Sequence, residues 1–199
     1  MRKERILARA LAVLALAATA ACSSVSNVYV IDGFDKSDRT KTYRMHVVTQ
    51  PLPAGDKKAG ELWGLVAQRW VNHHRDFIAK KRTAALNPVT GRCEGGMEAV
   101  LHMKPTLERV GDDVEATVTA ALFRCPGGAK LWSAEASGTW SIHDDELTST
   151  TDRYAKELGE SVRPWVPATF RILRELLDTL PKPKLVKDDD VMEKIELEE

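Results

Sequence analysis

The sequence predicts an α+β fold: a single domain over residues 42–181 in which an antiparallel or mixed sheet of 4–5 strands is packed by one long helix and a kinked C-terminal helix. Three observations predict it. Residues 57–82 carry apolar side chains at helical spacing, residues 97–142 alternate with period two between turn signals, and residues 154–180 return to helical spacing around two prolines. A chain of 199 residues with 29 basic and 29 acidic side chains has room for one such domain plus ends.

The first strand is expected at 42–48, where Tyr43, Met45 and Val47 face one way and Arg44, His46 and Val48 the other, until Pro51 and Pro53 stop it. In the long helix Asp56 is placed to cap the first turn. Trp63, Val66, Ala67, Trp70, His74, Phe77 and Ile78 form the buried stripe, and Lys80, Lys81 and Arg82 sit where cations favour the C-terminal dipole. Gly60 and Gly64, one turn apart, read either as a place for a neighbouring strand to approach closely or as a frayed first turn. Met97 opens a strand that continues past Pro105 to Val110, and Gly111-Asp112-Asp113 turns the chain into 114–124. Cys125-Pro126-Gly127-Gly128 then turns it into 131–142, where Trp132 and Trp140 share a parity and a face. Asp144, Asp145 and Glu146 end the sheet, 147–152 reads as a polar connection, and Gly159, Pro164 and Pro167 break the final helical region, whose better part begins near Pro167. Residues 182–199, with Asp188-Asp189-Asp190, read as a charged, solvated tail.

The start of the chain is a different kind of segment. Arg2, Lys3, Arg5 and Arg9 make a positive end, an apolar run follows from Ala10 to Ala18, and Thr19-Ala20-Ala21 lead into Cys22. The run is too short to cross about 30 Å of hydrocarbon, so residues 1–21 read as an export signal and 22–41 as a tether that contributes at most one edge strand, at 28–31. Small residues directly before a cysteine resemble the lipobox of bacterial lipoproteins, with Thr19 where such signals most often carry Leu. The resemblance implies that Cys22 is the lipid-attachment site and that Ser23 after it directs the protein to the outer membrane, facing the periplasm. The alternative is ordinary cleavage after Ala21, leaving Cys22 a thiol.

With Cys22 set aside, Cys93 and Cys125 remain, and in an oxidising compartment a remaining pair reads as a disulfide before it reads as a metal site; two buried thiols are the other possibility. Loss of residues 1–21 removes four basic side chains and one acidic one, leaving 25 and 28 and a net charge near −3. That balance lacks the basic stripe a nucleic-acid partner requires.

The order strand, long helix, antiparallel strands, C-terminal helix resembles the α/β domain of the curli-channel lipoprotein and of the N-terminal part of the Tol-system periplasmic protein. The residues that carry the resemblance are 43–48, the helix around 63–78, the hairpin VEATVTAALFRCPGGAKLWSAEASGTW with its Gly-x-x-Leu-Trp-Ser turn, and the closing Leu176-Leu177-Asp178-Thr179-Leu180-Pro181. Where those domains often carry Asp-Tyr before the second strand, this chain has Gly95-Gly96-Met97.

No catalytic residue is assigned: there is no G-x-S-x-G, no H-E-x-x-H and no P-loop. No metal or cofactor is expected either. His73 and His74 are adjacent on a helix and diverge by about 100°, and the acidic runs 144–146 and 188–190 lack the ligand alternation of a calcium loop. Arg69, Arg75, Lys80, Lys81 and Arg82, read as sharing the long helix, are candidates for contact with anionic envelope surfaces. The function expected is therefore a membrane-anchored, non-enzymatic binding or scaffolding component of the cell envelope, partnered by the membrane through Cys22 and by another envelope protein. The alternative is a lipoprotein that handles a small ligand, lipid or lipopolysaccharide in a cavity between sheet and helices.

Overall fold

The computed structural model describes residues 24–34, 43–52, 57–86, 93–183 and 188–197. Cys22, Asp56 and Pro53 lie outside them. The class is the expected one, α+β with a single mixed sheet, but the sheet has six strands, in the order β1-β6-β5-β4-β2-β3. These are β1 (Ser24–Val30), β2 (Tyr43–Thr49), β3 (Phe77–Ala84), β4 (Ala99–Val110), β5 (Asp113–Arg124) and β6 (Lys130–Ser141), with helices α1 (Lys57–His74), α2 (Thr148–Leu158), α3 (Val166–Asp178) and α4 (Asp188–Glu196). β2 runs parallel to both β3 and β4, and the rest of the sheet is antiparallel. Among the described residues no helix is long and apolar enough to cross a membrane.

The strand missing from the sequence reading is β3. The residues expected to finish the long helix, Phe77 to Arg82, leave it and form an edge strand beside β2. Two polar side chains of α1, the buried Asn72 and the half-buried Gln68, fix the changeover. Asn72 accepts from the Ala79 N–H at 2.7 Å and donates to its carbonyl at 3.3 Å, while Gln68 donates to the same carbonyl at 2.9 Å. Both groups need side-chain partners because the β2–β3 register shifts between Met45 and His46. Arg75, just past the helix, donates to the Leu177 carbonyl at 3.0 Å and to Asp178 at 2.7 Å, tying the turn to the end of α3. Asn72→Ala is expected to destabilise the protein by about 2 kcal/mol, since it strips a buried N–H of its acceptor. Urea titration measures this; a change within experimental error would remove the assigned role.

α1 and α3 cover one face of the sheet. Trp63, Leu62, Val66 and Val71 of α1 and Ile172, Leu173, Leu176 and Leu177 of α3 meet Met45, Val47, Leu101, Met103, Val118, Leu122, Trp132 and Trp140 in one core. Trp132 and Trp140 point to the same side, as their parity predicts. Pro105 is tolerated inside β4 because β2 stops pairing at Met103, so its missing N–H falls beyond that ladder. The final helical region is broken as expected, into α2, a 3-10 turn over Glu160–Trp165 and α3. The 147–152 stretch is corrected from connection to the end of a 3-10 turn at Leu147 and the first part of α2, which buries only Thr151, Tyr154 and Ala155.

The other face is bare over β5 and β6 but buried at β2, β3 and the start of β4. Arg44 stands beside Ile78, His46 beside Val100, and Val48 beside His102. The expected solvated tail supplies part of the cover. α4 sets Asp190 2.6 Å from Arg44 and Glu193 2.9 Å from its Nε; Glu193 also lies 2.5 Å from Lys80, and Lys194 donates to the Arg75 carbonyl. The hydrogen bond that Arg44 donates to Glu193, with a second to Asp190, holds its guanidinium above the ordinary range.

His102 has no hydrogen-bond partner at Nε2. Burial first, and the Lys104 ammonium second, hold its pKa below the ordinary 6.5. The unfolded chain therefore takes the proton at a higher pH than the folded one, so stability present above about pH 6.5 is lost as pH falls through the lower folded value. His74, its ring tilted against Trp70 and its pKa depressed by desolvation and by His73, adds to the same slope. Urea midpoints measured from pH 7.5 to 5 are expected to fall less steeply in His102→Leu; an identical slope would show that His102 does not titrate with folding.

Candidate functional site

A cleft of about 450 Å³ opens where β2 and β3 end and α1 begins. Parallel strands with a helix between them leave such a crevice outside their C-terminal ends, because the chain climbs from strand to helix there. Thr49, Gln50, Thr83 and Ala84 form its floor, Lys57, Gly60, Glu61 and Gly64 its helical wall, and Pro51 and Leu52 its lip, with Arg82 reaching in. Backbone groups at the strand ends are occupied: Ala85 donates to Thr49 and Gln50 donates to Met103, at 3.0 and 2.8 Å.

The two glycines explain the opening. A Cβ on Gly64 would stand 3.5 Å from both Thr49 Oγ1 and Arg82 Cδ, whereas one on Gly60 would meet nothing within 4 Å. The close approach read from their spacing is thus real at Gly64, made by strand side chains, and Gly60 borders open space. Arg82 is held across α1 by donating from Nη1 to Gln68 Oε1 at 2.7 Å. Thr49 is 2% exposed, and its hydroxyl has no hydrogen-bond partner. Among the described residues Glu61 is the one carboxylate in the lining, and it lies 3.3 Å from Lys58. Among the described residues this lining has two cations and the unpartnered Thr49 hydroxyl to offer a ligand, and no nucleophile paired with a base.

The five cations read as one helical group are separated by the fold. Arg69 is on α1, 2.8 Å from Glu157, and lies over the Tyr154 ring. Burial lowers its pKa, but Glu157 outweighs this and leaves it raised. Arg75 is a buried tie to α3, and Lys80, Lys81 and Arg82 are on β3, with Lys80 committed to Glu193. Arg82 alone of the five lines the cleft. Thr49 was not singled out by the sequence, since its orphaned hydroxyl depends on the β2–α1 crossing rather than on any local pattern.

Cys93 and Cys125 are joined in a disulfide with Cα atoms 5.5 Å apart. Asp144 and Glu146 are paired with Arg171, at 3.0 and 2.6 Å, and Asp190 with Arg44. Among the described residues no three His, Cys, Asp or Glu side chains are grouped as metal ligands.

No protein-family model matches the chain, and no curated protein is similar to it in sequence. Among solved structures, the PelC dodecamer from Paraburkholderia phytofirmans is similar with a TM-score of 0.50 and 14% identity, over 81% of this chain and 99% of that one. A point variant of the same dodecamer gives 0.47 and 15%, over 81% and 98%. The likeness is one of fold.

Proposed function

We propose that the chain is a non-enzymatic component of the bacterial cell envelope, acylated at Cys22, held at the periplasmic face of the outer membrane, and working as one subunit of an assembly of its own copies. The observation that carries this reading is the fold shared, over 81% of this chain, with a protein solved as a dodecamer. The export signal and the lipobox resemblance supply the address. Anchoring supports assembly physically: subunits confined to one surface meet at a raised effective concentration, so weak contacts suffice.

Cys22→Ala is expected to release the protein from membranes into the soluble periplasmic fraction. A variant that stays membrane-bound would sink the anchor. The mass of the detergent-solubilised wild type, expected as a multiple of the mass of the processed, acylated chain, tests assembly, and a monomer at all concentrations rejects it.

The cleft favours a second, compatible reading, the handling of a small ligand. The interface between helices and sheet is filled by side chains, so such a ligand would sit at the strand ends and not between the layers.

A further inference from the structure

We infer that the cleft between α1 and the ends of β2 and β3 binds a small organic acid, with one carboxylate or phosphate on a sugar-sized body. This rests on the ligand reading and is independent of the anchor and of assembly.

Four observations converge on that chemistry. The volume, about 450 Å³, lies in the range of small-molecule sites. The charge favours an anion: Lys57 and Arg82 face the cleft, Glu61 is offset by Lys58 at 3.3 Å, and the positive end of the 18-residue α1 dipole opens into it. Arg82 spends Nη1 on Gln68, and its fork has further N–H groups with which to grip an oxyanion. Thr49 borders the cleft, and its hydroxyl, closed off beside Gly64, has no hydrogen-bond partner among the described residues, so a ligand oxygen reaching the floor would give it one. The body of the ligand is argued from the rest of the lining. Gly60 presents bare backbone, and Pro51, Leu52 and Ala84 present carbon, so a compact ring can lie flat against the helix while its acid reaches Arg82.

Acidic sugars and phosphorylated lipid headgroups share this chemistry, and the test separates them. The full-length chain in detergent is titrated calorimetrically with D-glucuronate, with glycerol 3-phosphate and with neutral methyl glucoside. At least one acid is expected to bind saturably at one site and methyl glucoside not to; the better acid names the source. Arg82→Gln is expected to weaken that binding roughly tenfold or more, as loss of a charge-assisted hydrogen bond does. Gly60→Leu, which adds a good helix former into open space, is expected to abolish it with no fall in melting temperature. Binding of the neutral sugar alone would overturn the acid and keep the ligand reading. No saturable binding of any probe would overturn both, and wild-type affinity in Arg82→Gln or Gly60→Leu would overturn the placement in this cleft.

Discussion

Trp132→Ala is expected to be the most damaging single substitution, costing about 3–5 kcal/mol of folding stability. Trp132 is fully buried on β6 between Val30 of β1 and Leu122 of β5, in the layer covered by α3. Its indole N–H donates to the Thr179 hydroxyl at 3.2 Å, and that hydroxyl donates to the Leu176 carbonyl at 2.7 Å, so the ring pins the end of α3 to the sheet. Two effects are therefore mixed in the alanine variant, and Trp132→Phe separates them. Phe keeps most of the apolar volume and loses the donor. Because Thr179 still has Leu176 to donate to, no buried donor is orphaned, and the expected cost is about 1–2 kcal/mol. The cavity dominates. Equal losses in the two variants, read from urea midpoints at unchanged m, would show instead that the hydrogen bond holds the helix.

Removing the disulfide is expected to come next. Cys93 and Cys125 are separated by 32 residues, and on the chain-entropy model closing a loop of that length stabilises the fold by about 3–4 kcal/mol. The loop contains β4 and β5, whose ladder is complete on its own, from Ala99 paired with Arg124 to Val110 paired with Asp113. Cys125 also donates from its backbone to Glu98, and Glu98 to Arg44, so the bridge closes the open end of a hairpin already in place. The double Cys93→Ser/Cys125→Ser variant should therefore keep its far-UV circular dichroism and lose stability, by roughly the same amount as the wild type loses on reduction. If neither treatment lowers the urea midpoint, the bridge constrains nothing that the hairpin does not.

Much of the architecture was written in local pattern. β5 buries Val114, Ala116, Val118, Ala120 and Leu122 on the core side, and the tryptophans of β6 follow the same parity, because one-sided strands must alternate. Legibility failed where a structure is held by partners far away in the chain. Phe77 and Ile78 fit the helical stripe as well as they fit a strand; what ends α1 is Asn72 bonding Ala79 and Arg75 bonding the end of α3, 102 residues on. The same is true of α4, whose acidic run looks solvated until Arg44 and Lys80 are seen opposite it. The cleft was half legible. Its glycines announced themselves by spacing, but the assignment of Arg82 to the helix hid its side chain's true place, and Thr49 carries no signal at all.

The position of β1 has a mechanical meaning. The strand starts at Ser24 and is laddered to β6 from its first residue, through the Ser24–Ser137 and Val25–Ala136 pairs. With Cys22 acylated, as proposed, the leash between lipid and sheet is about two residues, or roughly 7 Å of extended backbone. The domain would then stand on the bilayer like a plate on its rim, with little freedom to swing. A tug on the lipid along the strand would load the β1–β6 bonds side by side in shear, as a lap joint is loaded, rather than peel them apart one at a time.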